Sequence, residues 1–148
     1  MEAEPVLPPL CGLGFFSLSR GGRALAASIM VVDDDAQQRR SLRLGLESFG
    51  FRAVEAAGGE EGLELLEARP VDLVITDLMM PGINGLALVR RLQQRFPELP
   101  VVLTSGYHLG RRQIEKAGLH VLAFVPKPYD LSELARFLHA KLTPLATG

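Results

Sequence analysis

The sequence predicts an α/β fold in which a doubly wound, five-stranded parallel sheet carries helices on both faces. Five short predicted strands alternate with segments of helical periodicity, and strands that alternate with helices pair in parallel through right-handed crossovers. The run from Leu73 to Thr76 is apolar and rich in β-branched residues, as in a strand that is buried on both faces of a parallel sheet. A chain of 148 residues accommodates one such domain of about 120 residues and a short extension.

Five strand and helix pairs follow one another after Ser28. The strands are predicted at residues 29–32, 51–56, 73–76, 101–104 and 121–125. The first helix is expected to end at Gly50, and the later helices are predicted at residues 60–67, 86–96, 107–117 and 131–142. Gly110 weakens the fourth helix, which is therefore expected to be short.

Each of the other helices has apolar residues at spacings of three or four, which place one face against the sheet. These inward residues are Leu42, Leu46 and Phe49 in the first helix, Leu63 and Leu66 in the second, Leu86, Val89, Leu92 and Phe96 in the third, and Leu131, Leu134, Leu138 and Leu142 in the last. Asp35, followed by Gln38, resembles a capping box for the first helix. Asn84 is a candidate N-cap for the third helix.

Residues 1–27 are expected to form an extension that is poorly ordered or ordered only by a partner. Proline and glycine interrupt its apolar stretch, which is too broken to insert into a membrane, and its charges are not arranged as in a signal peptide. Cys11 is the only cysteine, so no intrachain disulfide can form, which favours the cytoplasm. A net charge of -1 argues against direct nucleic-acid binding.

Polar side chains stand at the ends of four predicted strands. Asp33 and Asp34 follow the first strand, Asp77 ends the third, Thr104 ends the fourth, and Lys127 follows the fifth. The carboxyl ends of parallel strands meet at one edge of a doubly wound sheet, where such folds bind ligands. The sequence therefore predicts one shallow site that contains all of these side chains.

The three carboxylates predict a metal-dependent phosphoryl site. Crowded at one edge, they repel one another and raise each other's pKa unless a cation lies among them. Oxygen ligands favour a hard ion, most simply Mg²⁺. Lys127 and Thr104 would offer a positive charge and a hydrogen bond to phosphoryl oxygens. Asp77 would be the nucleophile and would form an aspartyl phosphate.

The segment 28–142 resembles the receiver domains of two-component response regulators. The motifs that carry the resemblance are Asp33-Asp34, Asp77 followed by Met-Met-Pro-Gly, Thr104-Ser105 and Lys127-Pro128. The resemblance implies a flavodoxin-like fold with strand order 2-1-3-4-5. It also implies a signalling phosphoacceptor rather than an enzyme, in which Asp77 takes a phosphoryl group from a histidine kinase or histidine phosphotransfer protein and later loses it by hydrolysis.

The resemblance further implies which residues bind Mg²⁺ and respond to phosphorylation. The metal ligands would be the carboxylates of Asp33, Asp34 and Asp77 and the backbone carbonyl of Met79. Thr104 would move towards the phosphoryl group, and Phe124 would change rotamer. The side chain of Met79 can neither orient nor activate an attacking water, so we expect a longer-lived phosphoryl group than with asparagine or aspartate at that position.

Several residues depart from the common receiver pattern. Phe124 replaces the more usual tyrosine and has no hydroxyl to donate, so its coupling to the site would depend on packing. Leu122 and Ala123 stand where winged-helix DNA-binding regulators usually carry acidic residues, which weakens the case for their dimer across the fourth and fifth helices. Pro126 and the run Thr-Ser-Gly-Tyr resemble receivers attached to hybrid histidine kinases.

Two other classes of protein remain open. A phosphatase of the haloacid dehalogenase type would also use a strand-end aspartate and Mg²⁺, but it needs a second carboxylate where this chain has Met79, and a cap region. A receiver-like interaction module that is never phosphorylated would keep the fold and lose part of the site. His108, His120 and His139 fall on different elements and are interpreted as surface residues rather than metal ligands.

The predicted organisation is an extension at residues 1–27, a receiver domain at residues 28–143 and a tail at residues 144–148. No output domain is expected within these 148 residues, so we expect a stand-alone regulator or a receiver detached from a larger kinase. Its signal would leave through a partner protein that distinguishes the phosphorylated from the free state, at the surface of the fourth helix, fifth strand and fifth helix.

Overall fold

The computed structural model describes residues 26–82, 84–106 and 110–142. The predicted tail, Cys11, His108 and all but the last two residues of the predicted extension lie outside this part of the chain, as do the first three residues of the predicted fourth helix. Within the described residues, no helix is both long and apolar enough to cross a bilayer.

The described chain forms five strand and helix pairs around one parallel sheet. In chain order the elements are β1 (Ser28–Val32), α1 (Ala36–Ser48), β2 (Arg52–Ala56), α2 (Gly59–Ala68), β3 (Leu73–Asp77), α3 (Gly85–Arg95), β4 (Val101–Ser105), α4 (Gly110–Lys116), β5 (Ala123–Pro126) and α5 (Leu131–Leu142). The strands lie in the order β2-β1-β3-β4-β5, and neighbouring strands are parallel. The predicted fold class and strand order are confirmed.

Alternate residues of the strands enter two separate apolar layers, because successive side chains of a strand point to opposite faces of the sheet. In β1, Ile29 and Val31 join one layer, while Met30 and Val32 join the other. The main helix contributions are Leu42, Leu46, Leu134 and Leu138 on what we call the α1/α5 face, and Leu63, Leu66, Leu88, Val89, Leu92 and Ile114 on the α2–α4 face. Each fully buried side chain of this size stabilises the fold by about 1.5–3 kcal/mol.

Two side chains cap helices as predicted. Asp35 Oδ1 accepts from the backbone N–H groups of Gln37 at 3.0 Å and Gln38 at 3.1 Å. Asn84 Oδ1 accepts from the N–H of Ala87 at 2.9 Å. A capping box also needs the Gln38 side chain to accept from the backbone N–H of Asp35. That part of the prediction is wrong, because Gln38 Oε1 accepts from Lys127 Nζ instead.

Phe49 does not occupy the inward position that its spacing predicted. α1 ends at Ser48 and Phe49 is its C-cap, so the chain turns before this side chain can reach the sheet. Phe49 is 39% exposed, whereas Phe51 is 4% exposed and fills the α1/α5 layer. Phe51 stacks on His139, with ring centroids 4.3 Å apart.

The last strand also differs from its predicted bounds. β5 begins at Ala123, two residues late, and ends at Pro126. Its register follows β4, with Ala123 opposite Val102 and Pro126 opposite Ser105. Proline is tolerated there because β5 is an edge strand, where a missing N–H leaves no ladder bond unmade. Four predicted inward residues at helix ends are only half-buried, namely Leu86, Phe96, Leu131 and Leu142.

Candidate functional site

The sheet brings the predicted site residues to one edge. β1 pairs with β3, and β3 pairs with β4, so the strands that carry Asp33, Asp77 and Thr104 are neighbours. Asp77 lies directly opposite Thr104 in this register. Lys127 follows β5, and its backbone N–H donates to the carbonyl of Ser105 at 2.7 Å. The four strand ends thus meet where a doubly wound sheet places its ligands.

Asp33, Asp34 and Asp77 form an acidic cluster, in which one carboxylate oxygen from each residue lies within 4.8 Å of the others. Burial raises the pKa of Asp33, and the charges of Asp77 and Asp34 add to this effect. The N–H of Asp35, which donates to Asp33 Oδ1 at 2.9 Å, and the charge of Lys127 oppose it. Converging oxygens that repel one another fit a hard divalent cation. Elsewhere among the described residues no His, Cys, Asp or Glu side chains converge in this way.

Lys127 lies beside the acidic cluster, but its closest described partner is a glutamine. Its Nζ is 3.5 Å from Asp77 Oδ2 and 3.7 Å from Asp33 Oδ2. The same Nζ donates to Gln38 Oε1 at 2.8 Å. Sequence reasoning missed this contact, because no pattern links two residues that are 89 positions apart.

Thr104 and Phe124 lie on opposite faces of the sheet. Thr104 is 3% exposed, and its carbonyl accepts from the N–H of Leu78 at 2.8 Å. In β4, Val102 belongs to the α1/α5 layer and Leu103 to the α2–α4 layer, so strand alternation directs Thr104 to the α1/α5 face. Phe124 is opposite Leu103 and packs with it on the α2–α4 face.

Met79 lies in the loop that follows Asp77. Its side chain is 54% exposed, while that of Met80 is buried in the α2–α4 layer. The backbone N–H of Met79 donates to Asp77 Oδ1 at 3.3 Å. The conformation of this loop is therefore coupled to the position of the Asp77 carboxylate.

The start of α3 packs against the end of β3 so closely that Gly85 has no space for a side chain. The Gly85 N–H donates to the Leu78 carbonyl at 2.8 Å. A Cβ on Gly85 would lie 2.6 Å from the carbonyl oxygen of Asp77 and 2.6 Å from Leu78 Cα. Because both are backbone atoms, neither can rotate away. Sequence reasoning placed Gly85 at the helix start and did not identify this contact.

Arg39 ties the backbone of Asp33 to β2. Its Nη1 donates to the Asp33 carbonyl at 2.8 Å, and its Nε donates to Glu55 Oε1 at 2.8 Å. Arg43 pairs with the other carboxylate oxygen of Glu55. The hydrogen bonds from Arg39 and Arg43 lower the pKa of Glu55, so this carboxylate remains charged and holds both guanidinium groups.

An open groove of about 660 Å³ extends from Lys127 along α1. Its lining residues are Gln37, Gln38, Ser41, Leu42, Lys127, Pro128, Tyr129 and Leu131. Burial raises the pKa of Tyr129, and the charges of Asp33 and Asp77 raise it further. The Tyr129 phenol therefore stays neutral beside the site.

Comparison with known proteins points to one family. The family model described as response regulator receiver domain matches residues 29–139. Response regulator GtcR of Aneurinibacillus migulanus is 32% identical over 118 residues, which are 80% of this chain and 48% of GtcR. Sensor kinase CckA of Brucella abortus (strain 2308) is 34% identical over 112 residues, which are 74% of this chain and 12% of CckA. The chain spans half or less of the length of these curated relatives.

Solved structures give the same result. A response regulator receiver protein from Pseudomonas putida is similar with a TM-score of 0.73 and 34% identity, over 79% of this chain and 98% of that chain. A response regulator receiver domain protein from Clostridium thermocellum has the same TM-score of 0.73 at 23% identity, over 82% of this chain and 98% of that chain. The second likeness concerns the fold alone.

Proposed function

Because the chain belongs to the family of response regulator receiver domains, we propose that Asp77 accepts a phosphoryl group from a histidine kinase or a histidine phosphotransfer protein. The observation that carries this proposal is the convergence of three carboxylates within 4.8 Å of one another, with the Lys127 ammonium 3.5 Å from Asp77. Clustered carboxylates repel one another. A divalent cation would give the carboxylates a partner of opposite charge, and a phosphoryl group would give one to the Lys127 ammonium.

Mg²⁺ would be held by the carboxylates of Asp33, Asp34 and Asp77 and by the backbone carbonyl of Met79. When bound, the ion would neutralise negative charge on the phosphoryl oxygens. The all-oxygen donor set supports a hard ion. The raised pKa of Asp33 supports it too, because a carboxylate whose charge is disfavoured by burial gains most from a cationic partner.

Asp77 would act as the nucleophile. One of its carboxylate oxygens would form a bond to phosphorus while the P–N bond of the phosphohistidine donor breaks, and the electron pair would leave with the imidazole, which takes up a proton. Lys127 would donate to one phosphoryl oxygen, and the hydroxyl of Thr104 would turn to another. Hydrolysis would later release inorganic phosphate and restore the carboxylate.

The signal would leave through a protein partner that binds the phosphorylated and free states differently. Phe124 has no hydroxyl, so a rotamer change there would act through its packing on the α2–α4 face. The net charge of -1 supports a protein rather than a nucleic acid as partner. A single cysteine, Cys11, supports action in the cytoplasm. The domain would act as a phosphoacceptor rather than an enzyme.

The intact mass of the protein after incubation with acetyl phosphate tests this proposal. We expect a gain of one phosphoryl group that requires Mg²⁺ and is absent in Asp77→Asn. Asp72→Asn is the matched control and should label normally, because Asp72 lies at the opposite edge of the sheet, where its Oδ2 accepts from the Ser28 N–H at 2.7 Å. No gain, under conditions that label a known receiver, would overturn the proposal and favour an interaction module that is never phosphorylated.

Met79 would set the lifetime of the phosphoryl group. Its thioether is exposed beside Asp77 and cannot orient or activate water. We expect Met79→Asn to lose phosphate faster than the parent after the donor is removed, as followed by the decay of the phosphorylated mass. Equal decay rates would contradict this role.

A further inference from the structure

Gln38 takes no part in the proposed phosphotransfer, yet it makes the shortest described contact of the Lys127 side chain. It lies in the first turn of α1, at the rim of the groove, and its Oε1 accepts from Lys127 Nζ at 2.8 Å. The helix N-cap that fixes this turn is independent of the contact, because Asp35 binds the backbone N–H of Gln38 and leaves its side chain available.

The contact coincides with long distances between the ammonium and the carboxylates. Lys127 Nζ is 3.5 Å from Asp77 Oδ2 and 3.7 Å from Asp33 Oδ2, whereas a direct ammonium–carboxylate hydrogen bond is about 2.7–2.9 Å long. Lysine has a flexible stem and three donors. Without an acceptor at Gln38, the ammonium could therefore close on Asp33 or Asp77.

A Lys127 ammonium in direct contact with Asp33 or Asp77 would oppose cation binding in two ways. It would occupy carboxylate oxygens that a divalent ion needs as ligands, and it would place a positive charge nearer to that ion. Replacing Lys127 would end its competition with the cation for the carboxylates, but the proposed reaction needs Lys127 to bind the phosphoryl group. A neutral acceptor outside the acidic cluster resolves this conflict.

We infer that Gln38 is a positioning residue that holds the Lys127 ammonium away from Asp33 and Asp77 and so keeps the acidic cluster open to a divalent cation. The inference rests on the proposed function in that it takes such a cation to be the occupant of the cluster. It assigns to Gln38 an effect on cation affinity that reaches the metal site only through Lys127.

Calorimetric titration with Mg²⁺ tests the inference without requiring phosphorylation. Gln38→Leu removes the acceptor and retains a good helix former, so we expect the dissociation constant to rise about three- to tenfold, as for loss of one partly exposed hydrogen bond to a charged group. Gln37→Leu is the matched control. It changes the exposed neighbouring glutamine, whose backbone N–H and not its side chain serves the helix cap, and it should bind Mg²⁺ like the parent.

The same pair of measurements in a Lys127→Met background separates positioning from a direct or merely structural role. Lys127→Met should itself bind Mg²⁺ more tightly, and adding Gln38→Leu to it should have no further effect, since the two side chains act as one unit. An equal loss of affinity from Gln38→Leu in both backgrounds, or no loss in either, would overturn the inference.

The outcomes also separate this inference from the proposed function. A parent protein that binds no Mg²⁺ would overturn both. Mg²⁺ binding with the expected dependence on Gln38 and Lys127, but without labelling of Asp77 by acetyl phosphate, would overturn only the proposed phosphotransfer.

Discussion

Replacing Gly85 with alanine should destabilise the domain and disturb Asp77, although alanine is the better helix former. The added Cβ would lie 2.6 Å from the Asp77 carbonyl oxygen and 2.6 Å from Leu78 Cα, where attractive carbon contacts are about 3.5–4.0 Å. Helix propensity favours alanine over glycine by about 1 kcal/mol. Overpacking against atoms that cannot rotate costs about 1–3 kcal/mol or more. Because both contacting atoms belong to the backbone, the upper end of this cost applies, and we expect a net loss of about 2 kcal/mol.

Urea and thermal unfolding of the metal-free protein measure this loss, which corresponds to about 4 °C in Tm per kcal/mol for a domain of this size. Gly62→Ala is the matched control in α2. Its Cβ would meet Val32 Cγ2 at 3.4 Å and Met30 Sδ at 3.6 Å, which are ordinary contacts with side chains. Gly62→Ala should be as stable as the parent or up to about 1 kcal/mol more stable. The reasoning is refuted if Gly85→Ala is as stable as Gly62→Ala.

Three further substitutions test charge and capping near the site in metal-free protein. Burial raises the pKa of Asp33, so the folded state binds the Asp33 proton more tightly than the unfolded state does. The stability of the protein should therefore fall as pH rises from the ordinary aspartate pKa through the raised pKa of Asp33. Asp33→Asn should be more stable than the parent at neutral pH. Arg39 and Arg43 lower the pKa of Glu55, so the charged Glu55 stabilises the fold above its ordinary pKa, and this stability is lost as pH falls through the lowered pKa. Glu55→Gln should therefore lose about 0.5–1 kcal/mol of stability at neutral pH and none in acid. Asp35→Ala should lose about 1 kcal/mol, because two N–H groups lose their acceptor.

Urea unfolding in the presence of a chelator, repeated across acidic to neutral pH, measures all three changes. Asp33→Asn less stable than the parent at neutral pH would contradict the burial argument. If Glu55→Gln remains less stable than the parent in acid, Glu55 stabilises the fold by packing rather than by its charge. Asp35→Ser retains an acceptor and should preserve the stability that Asp35→Ala loses.

The parts of the fold that could be predicted are those that a few consecutive residues determine. Asp35 and Asn84 cap their helices because the acceptor and its N–H partners lie within three residues of each other. The uninterrupted apolar run at 73–76 forms a strand that is buried on both faces. The alternation of such runs with helical segments then determines the topology, because parallel strands require helical crossovers.

The parts that could not be predicted depend on contacts between distant residues. Spacing placed Phe49 in the core, but the helix ended one residue earlier and Phe51 took that place. The start of β5 follows from its register with β4. Gln38 fits a capping box as well as it fits a lysine partner, and only the contact of the first turn of α1 with Lys127, after β5, decides between them.

The strand alternation described for β4 and β5 puts the proposed chemistry and the proposed readout on opposite faces of the sheet. Asp77, Thr104 and Val125 form a row across β3, β4 and β5, and that row faces α1 and α5, while Phe124 faces the opposite side. Under the proposed function, an event at Asp77 would have to reach Phe124 across the sheet. If that proposal holds, substitutions around Phe124 should silence the output of the domain while its phosphorylation proceeds at the parental rate.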